Sequence, residues 1–145
     1  MSHYKELKKA VTNLDLSKRL KSQDCYQDSL FYWRIYKDKG TILQLCLKQS
    51  GGEFISLWGG RLPKKIDNRK LRTYSAYMSG ELSELLRTFA HTIVCHPHIK
   101  GKRSPYECYI LTDGIEDKEY PHVLEETEAC AKGLMLQMLT AKKIY

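Results

Sequence analysis

Residues 30–36 read Leu30-Phe-Tyr-Trp-Arg-Ile-Tyr36, a run dense in aromatic and β-branched side chains. Such side chains suit the pleated, half-buried surface of a β-strand. The next run, Thr41-Ile-Leu-Gln-Leu-Cys-Leu-Lys48, places its leucines at alternate positions, so that they share one face of a strand. A third run, Glu53-Phe-Ile-Ser-Leu-Trp58, follows the pair Gly51-Gly52. Short glycine-containing turns between three such runs predict an antiparallel meander.

The segments on either side of this block extend the prediction. Residues 2–21 repeat apolar side chains every three or four positions, which predicts a helix with a break near residues 13–15. Residues 69–78 are compatible with a fourth strand, although 61–78 could equally form a loop or a basic β-ribbon. Residues 106–111 predict a further strand.

Two more helices are predicted towards the C-terminus. One is capped by Ser79 and carries an apolar stripe that reaches Ile93. This helix should end at or before His96, because the residue ahead of a proline avoids the α region. The other begins near Pro121, with glutamates near its start and Lys142 and Lys143 at its end, as the helix dipole favours. The two patterns place helices in the middle and at the end of the chain.

The element order predicts an α+β fold. We expect a single domain over residues 1–145, built on a three- to five-stranded, mostly antiparallel sheet with helices at the N-terminus, middle and C-terminus. The chain contains no apolar run of about 18 residues and no signal-peptide pattern. Five cysteines without a CxxC pair are typical of free thiols in a reducing compartment. A soluble, cytoplasmic protein is therefore expected.

The charge is distributed unevenly along the chain. Residues 1–72 hold sixteen Lys and Arg against seven Asp and Glu, a net charge of +9, whereas residues 73–145 hold eight against ten, a net charge of −2. The positive charge is densest in residues 61–72. Such a cluster attracts polyanions and has to remain solvated. This asymmetry is the main functional signal in the sequence.

Tyrosines accompany the cations, and the combination is typical of proteins that bind single-stranded nucleic acid, where rings stack on bases and cations follow the phosphates. Tyr74 or Tyr77 is the candidate for stacking. A second cationic group, Lys18, Arg19 and Lys21, could lie on the same face. The predicted nucleic-acid-binding residues are Arg61, Lys64, Lys65, Arg69, Lys70, Arg72, Tyr74, Lys100, Lys102 and Arg103.

A histidine and cysteine cluster is the other group with possible chemistry. His91 and Cys95 would be four residues apart on a helix, and His96 and His98 follow at its end. The alternatives are a structural zinc site, a metal-dependent hydrolase built on the histidines, or imidazoles that interact with the negative end of a helix. The spacing matches no established metal motif, so no metal, cofactor or catalytic residue is predicted.

The leading hypothesis is a small non-enzymatic protein that binds DNA or RNA, or a nucleoprotein, with weak sequence specificity. The alternative is an accessory, inhibitory or matrix-like interaction protein that uses the same cations to bind an acidic protein or an anionic membrane surface. In that case it would form a homodimer or larger homo-oligomer through an exposed edge of the aromatic strand at residues 30–36.

Overall fold

The structure is a computed structural model and describes residues 2–36, 40–48, 54–58, 72–89, 92–97 and 106–141. The elements in chain order are α1 (Ser2–Ala10), α2 (Leu14–Ser22), β1 (Phe31–Tyr36), β2 (Gly40–Lys48), β3 (Phe54–Trp58), β4 (Arg72–Ala76), α3 (Ser79–Leu86), β5 (Thr92–Pro97), β6 (Tyr106–Thr112), β7 (Ile115–Glu116), β8 (Val123–Glu125) and α4 (Glu128–Ala141). The α+β fold and the placement of helices at the N-terminus, middle and C-terminus are confirmed. None of the described helices is both long and apolar enough to cross a membrane.

The described strands form two antiparallel sheets. The first sheet has the order β3-β2-β1-β4, so the predicted meander is present and β4 pairs with the outer side of β1. The second sheet has the order β5-β6-β7, and β8 also pairs with β6. The sequence predicts one sheet, whereas the described strands form two, with β4 in the first and β5 in the second.

Helix α1 covers one face of the first sheet. Val11, the residue after α1, is fully buried and packs with Trp33 of β1 and Leu43 of β2. The indole N–H of Trp33 donates a hydrogen bond of 2.8 Å to the carbonyl oxygen of Thr12. A buried indole needs such a partner, so Trp33 contributes both apolar area and a fixed polar contact to this core.

The break predicted near residues 13–15 is confirmed and has a clear local cause. Asn13 caps α2, and its side-chain oxygen accepts a hydrogen bond of 2.9 Å from the backbone N–H of Leu16. An asparagine at this position satisfies an N–H group that the helix itself leaves unpaired. The chain therefore starts a new helix at Leu14 and does not continue α1.

Helix α4 is the centre of the larger core. It contacts α2, α3 and three strands of the second sheet, which explains why it is buried on most of its circumference. Gly133 allows α4 to approach α2 closely, because a Cβ there would lie 2.8 Å from both Leu16 Cδ2 and Thr12 Cγ2. The second sheet packs one face against this helix through Cys108 and Ile110.

The helix predicted from Ser79 to His96 is wrong beyond Leu86. α3 ends at Leu86, and Thr92–Pro97 forms strand β5, which pairs with β6. The consecutive β-branched residues from Thr92 to Val94 favour a strand, and pairing with β6 outweighs the helical spacing of the apolar residues. The predicted cap is also wrong: Met78 is the N-cap residue, and its N–H donates to Glu81 Oε1 at 2.8 Å.

The start of the last helix also differs from the prediction. Pro121 lies outside α4, and the residues that follow it form β8. The hydroxyl oxygen of Thr127 accepts a hydrogen bond of 3.1 Å from the N–H of Cys130, so the helix begins after this residue. Pairing of Val123 with Cys108 of β6 holds the preceding segment in a sheet. The sequence predicts that Lys142 and Lys143 lie at the end of this helix, but both are outside the described residues.

Candidate nucleic-acid interface

Two of the ten predicted binding residues, Arg72 and Tyr74, fall within the described part of the chain. Both belong to β4, and because they are two positions apart they project from the same face of that strand. The remaining eight lie outside the described residues: Arg61, Lys64, Lys65, Arg69, Lys70, Lys100, Lys102 and Arg103.

Tyr74 is held in place by the first sheet. It lies directly opposite Trp33 in the pairing of β4 with β1, and it packs at the margin of the core formed by α1 and this sheet. Tyr74 is half-buried and Arg72 is exposed. The strand thus supplies a fixed aromatic ring beside a solvated guanidinium group.

Helix α2 places two ammonium groups over the same ring. Lys21 Nζ lies 5.0 Å from the centroid of the Tyr74 ring, and Lys18 Nζ lies 5.9 Å from it. Both distances are within the range of cation–π attraction, which is worth about 0.5–1 kcal/mol at exposed sites. The cation group predicted from α2 therefore does meet the predicted strand. We call Lys18, Lys21, Arg72 and Tyr74 the α2–β4 surface.

The cations of the α2–β4 surface are absent from the described ion pairs. The Lys and Arg ion pairs among the described residues are Arg87 with Glu84 and Lys132 with Glu128, both on other helices. Lys18, Lys21 and Arg72 are exposed and take part in none of the described ion pairs. Like charges gathered on one surface favour the binding of an anion.

The outer edge of β4 is closed by side chains. Lys21 Nζ donates a hydrogen bond of 2.8 Å to the carbonyl oxygen of Thr73, and the N–H of Ser75 donates one of 2.8 Å to Gln27 Oε1. These contacts occupy backbone groups that a further strand would otherwise use. Lys21 therefore has two roles, since it covers the strand edge and carries charge on the surface.

The dimer edge predicted at residues 30–36 is wrong. β1 pairs with β2 on one side and with β4 on the other, so both of its edges are already occupied. Tyr77, the other stacking candidate, is also excluded because its side chain is 1% exposed. Its hydroxyl donates to the carbonyl oxygen of Tyr26 and accepts a hydrogen bond of 2.9 Å from Gln27 Nε2. Burial, together with a repulsive interaction with Cys25, raises the pKa of this hydroxyl.

The predicted histidine and cysteine cluster does not form as a helical site. Cys95 and His96 lie on β5, and the adjacent residues of a strand point to opposite faces. His91 and His98 lie outside the described residues. Within the ranges that the structure describes, no group of three His, Cys, Asp or Glu side chains is arranged to hold a metal ion.

A polar network that the sequence did not reveal lies on the face of the second sheet opposite α4. Glu107 on β6 contacts two imidazoles: its Oε1 lies 3.2 Å from His96 Nε2, and its Oε2 lies 3.1 Å from His122 Nε2. The other ring nitrogen of His122, Nδ1, lies 3.0 Å from Glu116 Oε2. Tyr109 stacks on the His122 ring with a centroid distance of 5.6 Å and donates or accepts a hydrogen bond of 3.1 Å with His96 Nε2.

An imidazole that contacts two carboxylates is favoured in its charged form, because both ring nitrogens can then donate. The hydrogen bond to Glu116 is the largest cause that raises the pKa of His122, with burial opposing it and Glu107 adding to it. In the sequence, the only sign of this network is that Glu107 and Tyr109 are two positions apart on a predicted strand and therefore share one face. His122 could be added only from the strand register, because it lies 15 residues from Glu107.

Comparison with known proteins assigns no relationship. No protein-family model matches the chain, and neither curated proteins nor solved structures give a significant match.

Proposed function

We propose that the protein is a non-enzymatic module that binds nucleic acid through the α2–β4 surface. The observation that supports this proposal is the convergence of Lys18 and Lys21 on the ring of Tyr74, next to the exposed Arg72 and without a described carboxylate partner. Lysine and arginine side chains near phosphates gain affinity chiefly by releasing condensed counter-ions. The predicted cations at 61–70 and 100–103 would extend the same contacts.

In this proposal Tyr74 orients the cations and takes a secondary part in stacking. Two ammonium groups lie over its ring, so a base that stacked there would have to displace them. Binding through phosphates positions a protein on its ligand and carries little sequence information. The expected ligand is therefore a DNA or RNA strand of almost any sequence.

A matched pair of single variants tests the proposal. Lys18→Gln and Lys118→Gln each remove one positive charge at an exposed position, and only the first lies on the α2–β4 surface. Binding of a labelled oligonucleotide is measured by fluorescence anisotropy at several salt concentrations. We expect Lys18→Gln to reduce the slope of log affinity against log salt by about 0.7–0.9, the contribution of one phosphate contact. An equal effect from Lys118→Gln would refute the assignment, because it would mean that net charge alone controls binding.

The second function, in which an acidic protein surface or an anionic membrane replaces the nucleic acid, uses the same cations. It is distinguished by light scattering before and after nuclease treatment of the purified protein. A loss of mass on nuclease treatment, with a high ratio of absorbance at 260 and 280 nm beforehand, supports nucleic acid. A homo-oligomer whose mass does not change supports the alternative.

A further inference from the structure

A cavity of about 390 Å³ lies against the edge of the second sheet, between α3 and α4. We call it the Cys95 pocket. Its lining residues are Ser83, Leu86, Arg87, Ile93, Cys95 and Lys132. Cys95 projects from β5 on the face that packs against α4, and it is only partly buried. A small solute can therefore reach this thiol.

The positive charge of Lys132 is fixed beside this pocket. Its ammonium group donates hydrogen bonds to Ser79 Oγ at 2.7 Å and Ser83 Oγ at 2.9 Å, and it pairs with Glu128 Oε1 at 2.9 Å. The side chain of Lys132 is 15% exposed, so the group is held inside the protein wall. A cation near a cysteine favours the thiolate, which is the nucleophilic form.

A second thiol faces Cys95 across the strands. Cys108 lies directly opposite it in the pairing of β5 with β6, and its side chain is fully buried. The hydrogen bond with Cys108 is the main cause that lowers the pKa of Cys95; burial and Glu128 oppose it, and Lys132 adds to it. The same hydrogen bond, together with burial, raises the pKa of Cys108.

The pairing also suits a covalent bond between the two sulfurs. Directly opposite residues of antiparallel strands have Cα atoms about 4.5–5.5 Å apart, and disulfides span Cα separations of about 4.4–6.8 Å. Neither strand has to move far along the other to bring the sulfurs together. A disulfide between adjacent strands departs from the best side-chain geometry, which makes it easier to reduce.

We propose that Cys95 is a peroxide-reactive modification site and that Cys108 converts the oxidised form into a reversible cross-strand disulfide. In the first step the Cys95 thiolate attacks hydrogen peroxide, the O–O bond breaks, and the products are a sulfenic acid and hydroxide. In the second step Cys108 sulfur attacks the Cys95 sulfur, the S–O bond breaks, and water leaves with the Cys108 proton. Peroxide is the two-electron oxidant, and a dithiol or glutathione restores both thiols.

The other cysteines provide an internal comparison. Burial raises the pKa of Cys25, a hydrogen bond with Thr140 partly opposes this, and Asp24 raises it further. Cys130 is buried in the larger core, and Cys46 is buried on β2. Buried structural thiols react slowly. Cys95 should therefore react first.

The test uses the full chain and peptide mass spectrometry. Iodoacetamide should label Cys95 faster than Cys25 by on the order of tenfold near neutral pH, because the reactive thiolate is more populated. After hydrogen peroxide and alkylation of the remaining thiols, the expected product is a Cys95–Cys108 linked peptide that dithiothreitol releases. Labelling of Cys25 ahead of Cys95, or peroxide treatment that leaves both thiols free, would overturn the proposal.

Variants separate the two steps. Cys108→Ser should stop at the sulfenic acid, which dimedone traps at Cys95, and Cys95→Ser should form no linked peptide. Cys25→Ser is the matched control and should behave as the parent protein. Because Cys108 is fully buried, Cys108→Ala is a second variant, and both are checked for native circular dichroism before use. If dimedone labels a cysteine other than Cys95 in folded Cys108→Ser or Cys108→Ala, the assignment of Cys95 as the reactive thiol is contradicted.

Discussion

Gly133 provides a sharp test of the packing between α2 and α4. A Cβ added at this position would lie 2.8 Å from both Thr12 Cγ2 and Leu16 Cδ2, whereas ordinary contacts begin near 3.4 Å. The neighbours have little room to move. Thr12 Oγ1 lies 2.8 Å from Ser17 Oγ and accepts a hydrogen bond of 3.1 Å from the N–H of Tyr77, so rotation of Thr12 would break two buried hydrogen bonds.

The predicted free-energy change combines two opposing effects. Overpacking a rigid core costs about 1–3 kcal/mol, and replacing a helical glycine with alanine gains about 1 kcal/mol. Gly133→Ala should therefore lower the free energy of unfolding by up to about 2 kcal/mol, and it should be about 1–3 kcal/mol less stable than a glycine-to-alanine change that meets no neighbour. For a chain of this size each kcal/mol corresponds to about 2–4 °C in Tm.

Gly80 is the matched control. It lies in the first turn of α3, and a Cβ there would meet nothing within 4 Å. Gly80→Ala should leave stability unchanged or raise it by up to about 1 kcal/mol, because only the backbone entropy changes. Urea unfolding followed by far-UV circular dichroism measures both variants. If Gly133→Ala proves as stable as Gly80→Ala, the close approach of α2 and α4 is refuted.

Two further changes test local features of the fold. Asn13→Ala should reduce the free energy of unfolding by about 1 kcal/mol in urea titrations, since it removes the cap of α2; no loss would contradict the capping role. His122→Gln should be destabilising in acid and nearly neutral in base. The pKa of His122 is raised above 6.5 in the folded state, first by Glu116, so its contribution is complete below 6.5 and disappears as the pH rises through the folded value. After screening at this partly exposed site we expect about 0.5–1 kcal/mol near pH 5.5, measured as a shift of the urea midpoint; an equal shift near pH 8.5 would contradict this linkage.

The elements that sequence reasoning identified correctly are those in which several local signals agree. Residues 31–36 combine β-propensity with alternation, and they form β1. Asn13 interrupts a helical pattern with a residue that favours a helix N-cap, and α2 begins immediately after it. In both places the residue propensities agree with the apolar pattern or with the capping residue, so they predict the same element.

The prediction was wrong where two local signals conflict. From Leu86 to Ile93 the apolar spacing fits a helix, but Thr92-Ile93-Val94 fits a strand, and β6 supplies the partner that decides between them. A partner strand cannot be recognised from the segment alone. Val123 was likewise assigned to a helix start, although its pairing with Cys108 holds it in a sheet.

The candidate site was predicted only in part for a related reason. Arg72 and Tyr74 share a strand face, which alternation predicts. Their contact with Lys18 and Lys21 depends on how α2 packs beside β4. The spacing of residues along the chain does not predict that packing. The network around His122 and the thiol pair at Cys95 depend in the same way on strand register.

The most direct test of nucleic-acid binding is a titration of the parent protein with a labelled single strand and a labelled duplex at about 50 and 200 mM salt. About five phosphate contacts predict that log affinity falls against log salt with a slope near −3.5 on a single strand and near −4.5 on a duplex. An affinity that does not change between the two salt concentrations, or no binding to either ligand, would contradict the account.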